Sequence, residues 1–492
     1  MLSSRQPGPL ARVALALSFL CGALLVASAA IQTTPQDFQQ PGTQPNGLNT
    51  PLEPSGNCAF CHGNYDPEIA PLNTWAGTMM ANSTRDPIFH AALAIAEQDA
   101  VASGALCLRC HSPNGFLEGN ATPTDGSGLS GKDFEGVACN FCHRMVDPVL
   151  APENPAPDAA VLANLAEVPG TSHNGQYVVD PDDNRRGPFD PEVCNVLHPE
   201  TYESPYHQEA LLCGTCHEVS NPAFIRQGGP VPSASDVYVA AVDGQPHPTH
   251  SQYDEFPIER TYSEWLNSDF AQGPVEMGGL FGGNKTAVSS CQDCHMPDAS
   301  GTGCTPIFNP PFRDDMPVHS FLGANSWVPR SIYDLDQTQL LYGPAEISGV
   351  PLEIFEATIA RNLEFMGNAA TVELSGAEGA LDVRVINNTG HKLPTGYNEG
   401  CRMWLNVRFF DASGALVDER GFYDTATADL STSDTKVYEM ELGLDDAMSV
   451  ATGLPAEKSF HFVLNNKIFK DNRIPPRGFT NAAFEAVQAQ PV

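Results

Sequence analysis

Five copies of the pattern Cys-x-x-Cys-His run through this chain of 492 residues, and no other feature constrains it as much. We number them motif 1 to motif 5, at residues 58–62, 107–111, 139–143, 213–217 and 291–295. Two thiols at this spacing can add to the two vinyl groups of one haem, and the next histidine can then bind its iron. A zinc ribbon explains the cysteine pairs but not a histidine after every pair. The motifs therefore predict five covalently bound c-type haems.

Each motif supplies two kinds of functional residue. The ten cysteines are the predicted sites of covalent haem attachment: Cys58, Cys61, Cys107, Cys110, Cys139, Cys142, Cys213, Cys216, Cys291 and Cys294. The five histidines are the predicted proximal ligands of the irons: His62, His111, His143, His217 and His295. Function then depends on what occupies the second axial position of each iron.

The first thirty residues have the pattern of a secretory signal. Arg5 and Arg12 come before an apolar run that ends at Val26, and the small residues at 27–30 offer a cleavage site. The run is shorter than a typical membrane span, and no later stretch reaches about 18 apolar residues. We therefore expect an exported protein, periplasmic or at the cell surface or outside the cell, without membrane association after cleavage.

The chain is strongly acidic, with 25 basic and 59 acidic residues and a net charge of −34. Such a surface repels nucleic acid and anionic lipid, and it suits a redox partner protein with a basic face. Solubility of an exported protein is an equally good explanation of the same charge. The charge therefore excludes nucleic acid as a partner but identifies no particular donor or acceptor.

Four cysteines lie outside the motifs. Cys21 belongs to the predicted signal, which leaves Cys194, Cys304 and Cys401 in the exported chain. An odd number in an oxidising compartment allows one disulfide and one thiol. A bond between Cys194 and Cys304 is one option, and the sequence does not choose between the pairings.

Composition divides the chain into five segments. We expect a signal peptide at 1–30, a flexible leader at 31–57, a pentahaem domain at 58–345, a connecting helix at 346–370 and a β-sandwich-like domain at 371–492. The predicted fold class is mixed: a loop-rich, partly helical haem region followed by an all-β C-terminal domain. The final residues, 490–492, show no closing strand, so either the sandwich is small or the sequence is truncated there.

Local patterns predict individual elements. Asp86 followed by Pro87 marks the start of a helix that continues through Ile95, and a second helix is expected over 352–365. Alternating apolar and polar residues predict strands in the last segment, at 372–374, 381–386, 403–410, 415–418, 437–440 and 459–464.

Nine histidines outside the motifs are available as distal iron ligands. A haem closed by two protein ligands passes electrons, whereas an open face can bind a substrate. The candidate distal ligands are His198, His207, His319 and His391, with Met80 as a thioether alternative. His391 lies in a loop that Gly390 and Pro394 restrict, which can hold an imidazole rigidly. The sequence assigns His461 a structural role and keeps His90, on the Asp86 helix, in reserve.

Several segments resemble a family of large secreted multihaem cytochromes, over about residues 55–480. The segments are 74–80 (TWAGTMM), 85–87 (RDP), 107–113 (CLRCHSP), 139–145 (CNFCHRM), 291–297 (CQDCHMP), the loop 390–400 and 471–476 (DNRIPP). The resemblance implies haem c binding and redox work. It also implies histidine at the positions of His198, His207, His319 and His391, and it implies that relatives continue beyond the end of this chain.

Three functions fit these observations. The first is electron transfer through five closely spaced haems, mostly with two histidine ligands each. The second is a redox enzyme of the nitrite- or hydroxylamine-converting kind with one open haem, where Arg109, Tyr262 or His250 could contact the substrate. Pentahaem nitrite reductases use a CxxCK motif, whereas all five motifs here end in histidine, so an electron-transfer protein is favoured over an enzyme. The third is a homo-oligomer or conducting filament.

Overall fold

The computed structural model describes residues 31–191, 198, 200–338, 349–377 and 379–492. The predicted signal peptide and Cys194 lie outside these ranges. Helix accounts for 29% of the structure and strand for 20%, which confirms the mixed fold class. Within these ranges, no helix is both long enough and apolar enough to cross a membrane.

The helices are mostly short, as expected for a chain rich in Pro and Gly. The α-helices are α1 Ala59–His62, α2 Pro71–Trp75, α3 Pro87–Asp99, α4 Gly104–His111, α5 Pro113–Leu117, α6 Cys139–Cys142, α7 Asp158–Ala163, α8 Ala210–Gly214, α9 Thr261–Leu266, α10 Cys291–His295, α11 Val328–Thr338, α12 Leu352–Asn368, α13 Asp446–Thr452 and α14 Asn481–Ala486. Short 3₁₀ turns lie at Pro35–Phe38, Ser55–Cys58, Ser83–Arg85, Gly131–Glu135, Pro205–Gln208, Asp269–Gln272 and Pro306–Phe308.

The strands form small, mostly antiparallel sheets. They are β1 Met145–Val146, β2 Val178–Val179, β3 Arg185–Gly187, β4 Thr201–Glu203, β5 Val219–Asn221, β6 Phe224–Gln227, β7 Val237–Ala240, β8 Phe256–Glu259, β9 Val275–Glu276, β10 Ala287–Val288, β11 Asp298–Gly301, β12 Arg313–Pro317, β13 Ala370–Ala377, β14 Ala380–Asn387, β15 Arg402–Trp404, β16 Val407–Phe410, β17 Leu416–Arg420, β18 Tyr423–Asp424, β19 Asp429–Leu430, β20 Val437–Gly443 and β21 Lys467–Asp471. Only β3 and β4 pair in parallel among the strands described.

Both predicted helices are confirmed. The Asp86 carboxylate accepts from the backbone N–H of Ile88 at the start of α3, and Pro87 occupies the first turn, where a missing N–H costs nothing. The second helix, α12, covers the expected residues 352–365 and continues to Asn368.

The hydrophobic core links the two halves of the chain. One buried cluster brings Phe224 and Phe256, from the motif-bearing part, against Leu442 and Leu464, from the C-terminal part. Burying a side chain of this size stabilises the fold by about 1.5–3 kcal/mol. The C-terminal segment therefore shares a core with the region that carries the motifs.

The segment 31–57 differs from the expected flexible leader. Phe38 and Leu52 are buried, and the backbone N–H of Thr43 donates to the carbonyl of Tyr177. Its Pro and Gln residues suggested disorder, but two apolar side chains and a row of backbone hydrogen bonds hold it against the rest of the chain.

The C-terminal strands are only partly as predicted. β13 and β14 pair in register from Ala370 with Asn387 to Ala377 with Ala380, and β15, β20 and β21 form a three-stranded sheet. The strand predicted at 459–464 is wrong, because the Ser459 hydroxyl bonds the Asn465 side chain and closes a turn there. Strand β21 follows instead, and the two-sheet sandwich stays a prediction.

Candidate haem-binding motifs and axial ligands

Each motif lies on or beside a short helix, and motifs distant in sequence meet in space. Thiols of different motifs interact in three pairs, Cys58 with Cys139, Cys110 with Cys216, and Cys213 with Cys291. The last two pairs place motif 4 beside motifs 2 and 5. Burial raises the pKa of Cys142 to about 12, and the neighbouring thiol of Cys213 contributes to the increase. Motif 3 is therefore near motif 4 as well. Motif 4 is thus the centre of the group, and motif 1 adjoins motif 3.

The five motif histidines share one orientation. In each ring Nδ1 faces an oxygen atom, so Nε2 is the nitrogen turned away from that contact. The oxygens are the carbonyl of Gly303 for His62 (2.7 Å), of Ser83 for His111 (3.4 Å), of Arg186 for His143 (2.7 Å) and of Leu322 for His295, and the Glu259 carboxylate for His217 (3.4 Å). Metal-binding histidines are held in this way in general, with Nδ1–H donating to a fixed oxygen.

Burial favours the neutral form of most motif imidazoles and of the candidate distal ligand His319. It lowers the pKa of His111 and of His295 to about 4, and that of His319 to about 3. Neutral imidazole is the form that binds a metal, so these side chains are competent ligands at neutral pH. His217 is different: burial would lower its pKa, but the hydrogen bond and charge of Glu259 raise it to about 9.

Three motif histidines face a second imidazole at matching distances. The ring centres are 6.2 Å apart for His62 and His198, 6.2 Å for His143 and His319, and 6.3 Å for His295 and His391. With metal–nitrogen bonds of about 2.0 Å on both sides, the ring centres of two axial imidazoles lie about 6.3 Å apart. The ring spacing at motifs 1, 3 and 5 therefore fits two imidazole ligands of one haem iron. At motif 1, however, the Arg185 guanidinium lies 2.9 Å from Nδ1 of His198 and makes that nitrogen an acceptor.

His207 lies beside the same motif histidine as His319. Its ring centre is 5.7 Å from that of His143, and its Nε2 is 3.1 Å from the Cys142 carbonyl oxygen. Nε2 of His207, the nitrogen that would bind iron, therefore already contacts a backbone oxygen. In His319, by contrast, Nδ1 is 3.1 Å from the Pro317 carbonyl oxygen, which leaves Nε2 available.

Motifs 2 and 4 have a different environment. Among the described residues, no second imidazole makes a ring contact with His111 or His217. The ring of His111 instead lies against Phe89, with the ring centres 4.0 Å apart. None of the four histidines predicted as distal ligands is brought to these two motifs.

The remaining candidates lie elsewhere. Met80 precedes the 3₁₀ turn at Ser83–Arg85, and its carbonyl oxygen accepts from Val137 N–H, next to motif 3. Nothing in its contacts tests a thioether ligand, so Met80 stays a prediction. His90 directs Nε2 to the Thr84 carbonyl at 2.7 Å, and Nδ1 of His461 lies 2.9 Å from the Asp99 carboxylate.

The side chains named as substrate contacts are not gathered at one motif. Arg109 is buried and directs its guanidinium to the carbonyl oxygens of Pro41 and Gly175. Tyr262 lies against Trp265, with the ring centres 5.6 Å apart. His250 lies 3.9 Å from Glu167. The structure thus does not assemble these three residues into a substrate site.

The sequence did not point to Glu259, and it pointed to Arg109 only as a possible substrate contact. Glu259 is 42 residues after His217, and only the fold brings its carboxylate to that ring. Arg109 lies inside motif 2, but its position gives no hint that the guanidinium is buried between the rings of Phe116 and Tyr177. Within the part of the chain that the structure describes, no carboxylate forms an ion pair with Arg109.

Residues 43–144 match the model of the family described as cytochrome c554 and c-prime. The matched segment contains motifs 1, 2 and 3 and is well under half of the chain. No curated protein and no solved structure matches the chain. Together with the motifs, the match identifies a multihaem c-type cytochrome that binds haem c covalently and takes part in haem-based electron transfer.

Proposed function

We propose that this protein is an exported pentahaem c-type cytochrome that carries electrons between redox partner proteins. The observation that carries the proposal is the set of three imidazole pairs with ring centres 6.2–6.3 Å apart. Two protein ligands close an iron to substrates and favour electron transfer. The five motifs provide five attachment sites, and the signal pattern at 1–30 supports export to the periplasm or beyond.

The arrangement of the motifs supports a short internal route. When bound, haem c supplies reversible one-electron chemistry at its iron. The chain holds motif 4 beside motifs 2, 3 and 5, and motif 3 beside motif 1. Electrons that enter at one end of this group would therefore reach every motif through close neighbours. The net charge of −34 favours donors and acceptors with basic surfaces.

A second candidate function is a redox enzyme with one open haem, at motif 2 or motif 4. It is favoured by the environment of His217, because a carboxylate on Nδ1 makes the ring a stronger electron donor to a bound metal. Neither His111 nor His217 meets a second imidazole within the described ranges. Nitrite and hydroxylamine are the substrates to test first.

Spectroscopy of the holoprotein separates the two functions. The mass of the intact protein counts the attached haems, and we expect five. Low-temperature EPR of the oxidised protein then counts low-spin and high-spin ferric haem. Five low-spin signals support the electron carrier and contradict an open haem. One stoichiometric high-spin signal favours the second candidate, to be assayed with nitrite, hydroxylamine and peroxide. Fewer than three low-spin signals would contradict the imidazole pairs.

A further inference from the structure

A buried group of four charges lies behind His391. The side chains of Glu264, Lys392, Asp471 and Arg473 are all at most 4% exposed, and we call them the Glu264 network. Two are acidic and two are basic, so the group is neutral overall. His391, the proposed partner of motif 5, directly precedes Lys392 in the chain.

The network is continuous from one acid to the other. The Asp471 carboxylate receives the Lys392 ammonium at 2.7 Å and, through both of its oxygens, the Arg473 guanidinium at 2.7 and 2.9 Å. The same guanidinium lies 3.1 Å from Glu264 Oε1. A shift of Glu264 would therefore disturb every member of the group.

Glu264 also holds the backbone of the loop that carries His391. Its Oε2 accepts from the backbone N–H of Lys392 at 3.0 Å and from the Thr395 hydroxyl at 2.7 Å. These contacts are one and four residues after His391, so they fix the part of the loop from which the imidazole projects. The loop turns at Gly390, where an added Cβ would meet Trp265 at 3.1 Å.

Helix α9, which carries Glu264, is fastened to two motifs. The backbone N–H of Tyr262 donates to the carbonyl of His217 in motif 4. The indole N–H of Trp265 donates to the carbonyl of Ser289 at 2.8 Å, two residues before motif 5 begins. The helix therefore sets the position of motif 5 and, through Glu264, the position of the loop that faces it.

Stability alone does not explain this use of buried charge. A well-packed apolar group of similar volume is often as stable as a buried ion pair, because removing charges from water is costly. Directed polar contacts, however, hold one geometry where apolar contacts allow several. The two contacts of Glu264 with the His391 loop, rather than its ion pair, are the part of the network that defines that geometry.

We propose that Glu264 is a positioning residue that holds His391 opposite His295, so that the imidazole can serve as the distal ligand of motif 5. The inference rests on the proposed function, since it takes His391 as an axial ligand. Glu264 touches neither imidazole among its described contacts and acts through Lys392 and Thr395.

The test uses the full-length holoprotein with all haems attached. His391→Ala removes the proposed ligand itself, and Glu264→Met removes both acceptor contacts while keeping side-chain volume. We expect each variant to convert one low-spin haem per chain to high spin in the EPR spectrum, and to bind one more CO per chain than the wild type after reduction. Glu264→Gln, which keeps one acceptor oxygen, should restore part of the low-spin signal.

Two further variants keep the test decisive. Thr395→Val removes the contacts of this hydroxyl with Glu264 and with Thr261, and it serves if Glu264→Met does not fold, with the same signal expected at a lower fraction. Lys470→Met breaks the partly exposed pair with Glu439 next to Asp471 and should leave the number of low-spin haems as it is in the wild type. The combination of Glu264→Met with His391→Ala should bind no more CO than His391→Ala alone, because both act on one ligand.

The outcomes separate this inference from the function on which it rests. If His391→Ala opens a haem and Glu264→Met and Thr395→Val do not, the positioning role is wrong while the proposed ligand stands. If His391→Ala opens no haem, the proposed ligand of motif 5 is wrong. If Glu264→Met opens several haems at once, the residue supports the fold in general, and the specific role is overturned.

Discussion

The ring centres of His143 and His319 lie 6.2 Å apart, and the two residues are separated by 176 positions in the chain. Nδ1 of His319 contacts the carbonyl oxygen of Pro317, two residues earlier in the chain. His207 also lies beside His143, but its Nε2 already faces the Cys142 carbonyl oxygen, and its buried Nδ1 has no hydrogen-bond partner among the residues that the structure describes. The geometry therefore favours His319 as the distal ligand of motif 3.

Replacement of His319 should open one haem, whereas replacement of His207 should not. We expect His319→Ala to convert one low-spin ferric haem per chain to high spin, because the iron then loses one of two strong-field ligands. His207→Ala is the matched control, since its ring lies against the same motif histidine. EPR of the oxidised proteins makes the comparison, and the reverse pattern would assign His207 as the ligand instead.

The Glu259 carboxylate should lower the potential of the haem at motif 4. A carboxylate on Nδ1 increases the electron donation of His217 to iron, which stabilises the oxidised state. Glu259→Gln removes the charge and should raise one midpoint potential by on the order of 50 mV. A spectroelectrochemical titration measures this, with the exposed Glu356→Gln as control. A set of unchanged potentials would show that Glu259 has no influence on motif 4.

Arg109 should act in the opposite direction at motif 2. Arg109 is 1% exposed, and among the described residues its guanidinium bonds carbonyl oxygens only, so its charge is poorly screened. Positive charge near an iron favours the reduced state, and Arg109→Gln should therefore lower one midpoint potential, again by on the order of 50 mV. Arg330→Gln, at a side chain 49% exposed, controls for the loss of any arginine. The same titration would contradict the prediction if the two variants behave alike.

Glu399 should make the protein less stable as the pH rises. Burial raises the pKa of this carboxyl to about 7 from 4.5, and its Oε2 has no hydrogen-bond partner among the described residues. A folded-state pKa above the unfolded value gives a stabilisation that is complete below about pH 4.5 and is lost as the pH rises through about 7.

The substitution Glu399→Gln removes this dependence. We expect nearly equal stability of variant and wild type near pH 4.5, and a variant more stable at pH 8 by on the order of 3 kcal/mol, since one pKa unit corresponds to about 1.4 kcal/mol. Denaturant unfolding at the two pH values measures the difference. Glu373→Gln, at an exposed carboxylate, should show no such change with pH, and a flat difference for Glu399→Gln would refute the prediction.

Local sequence signals predicted the elements that local interactions form. The N-cap at Asp86 and the first-turn proline gave α3, and the apolar spacing after Leu352 gave α12. The prediction of a strand at 459–464 was wrong. Apolar and polar residues alternate there, but the hydrogen bond between the side chains of Ser459 and Asn465 closes a turn instead. The packing of 31–57 was missed because its polar composition conceals the two apolar side chains that anchor it.

The sequence by itself determined the covalent chemistry of this protein. The two cysteines that attach a haem and the proximal histidine lie within five consecutive residues. One turn of backbone therefore sets their spacing, and the motif can be recognised from the sequence of this chain alone. The tertiary structure alone decided which imidazole faces which motif, because partners such as His295 and His391 are 96 residues apart. Contacts at that range depend on how helices and loops pack, as the hold of Glu264 on the His391 loop shows, and no local pattern encodes them.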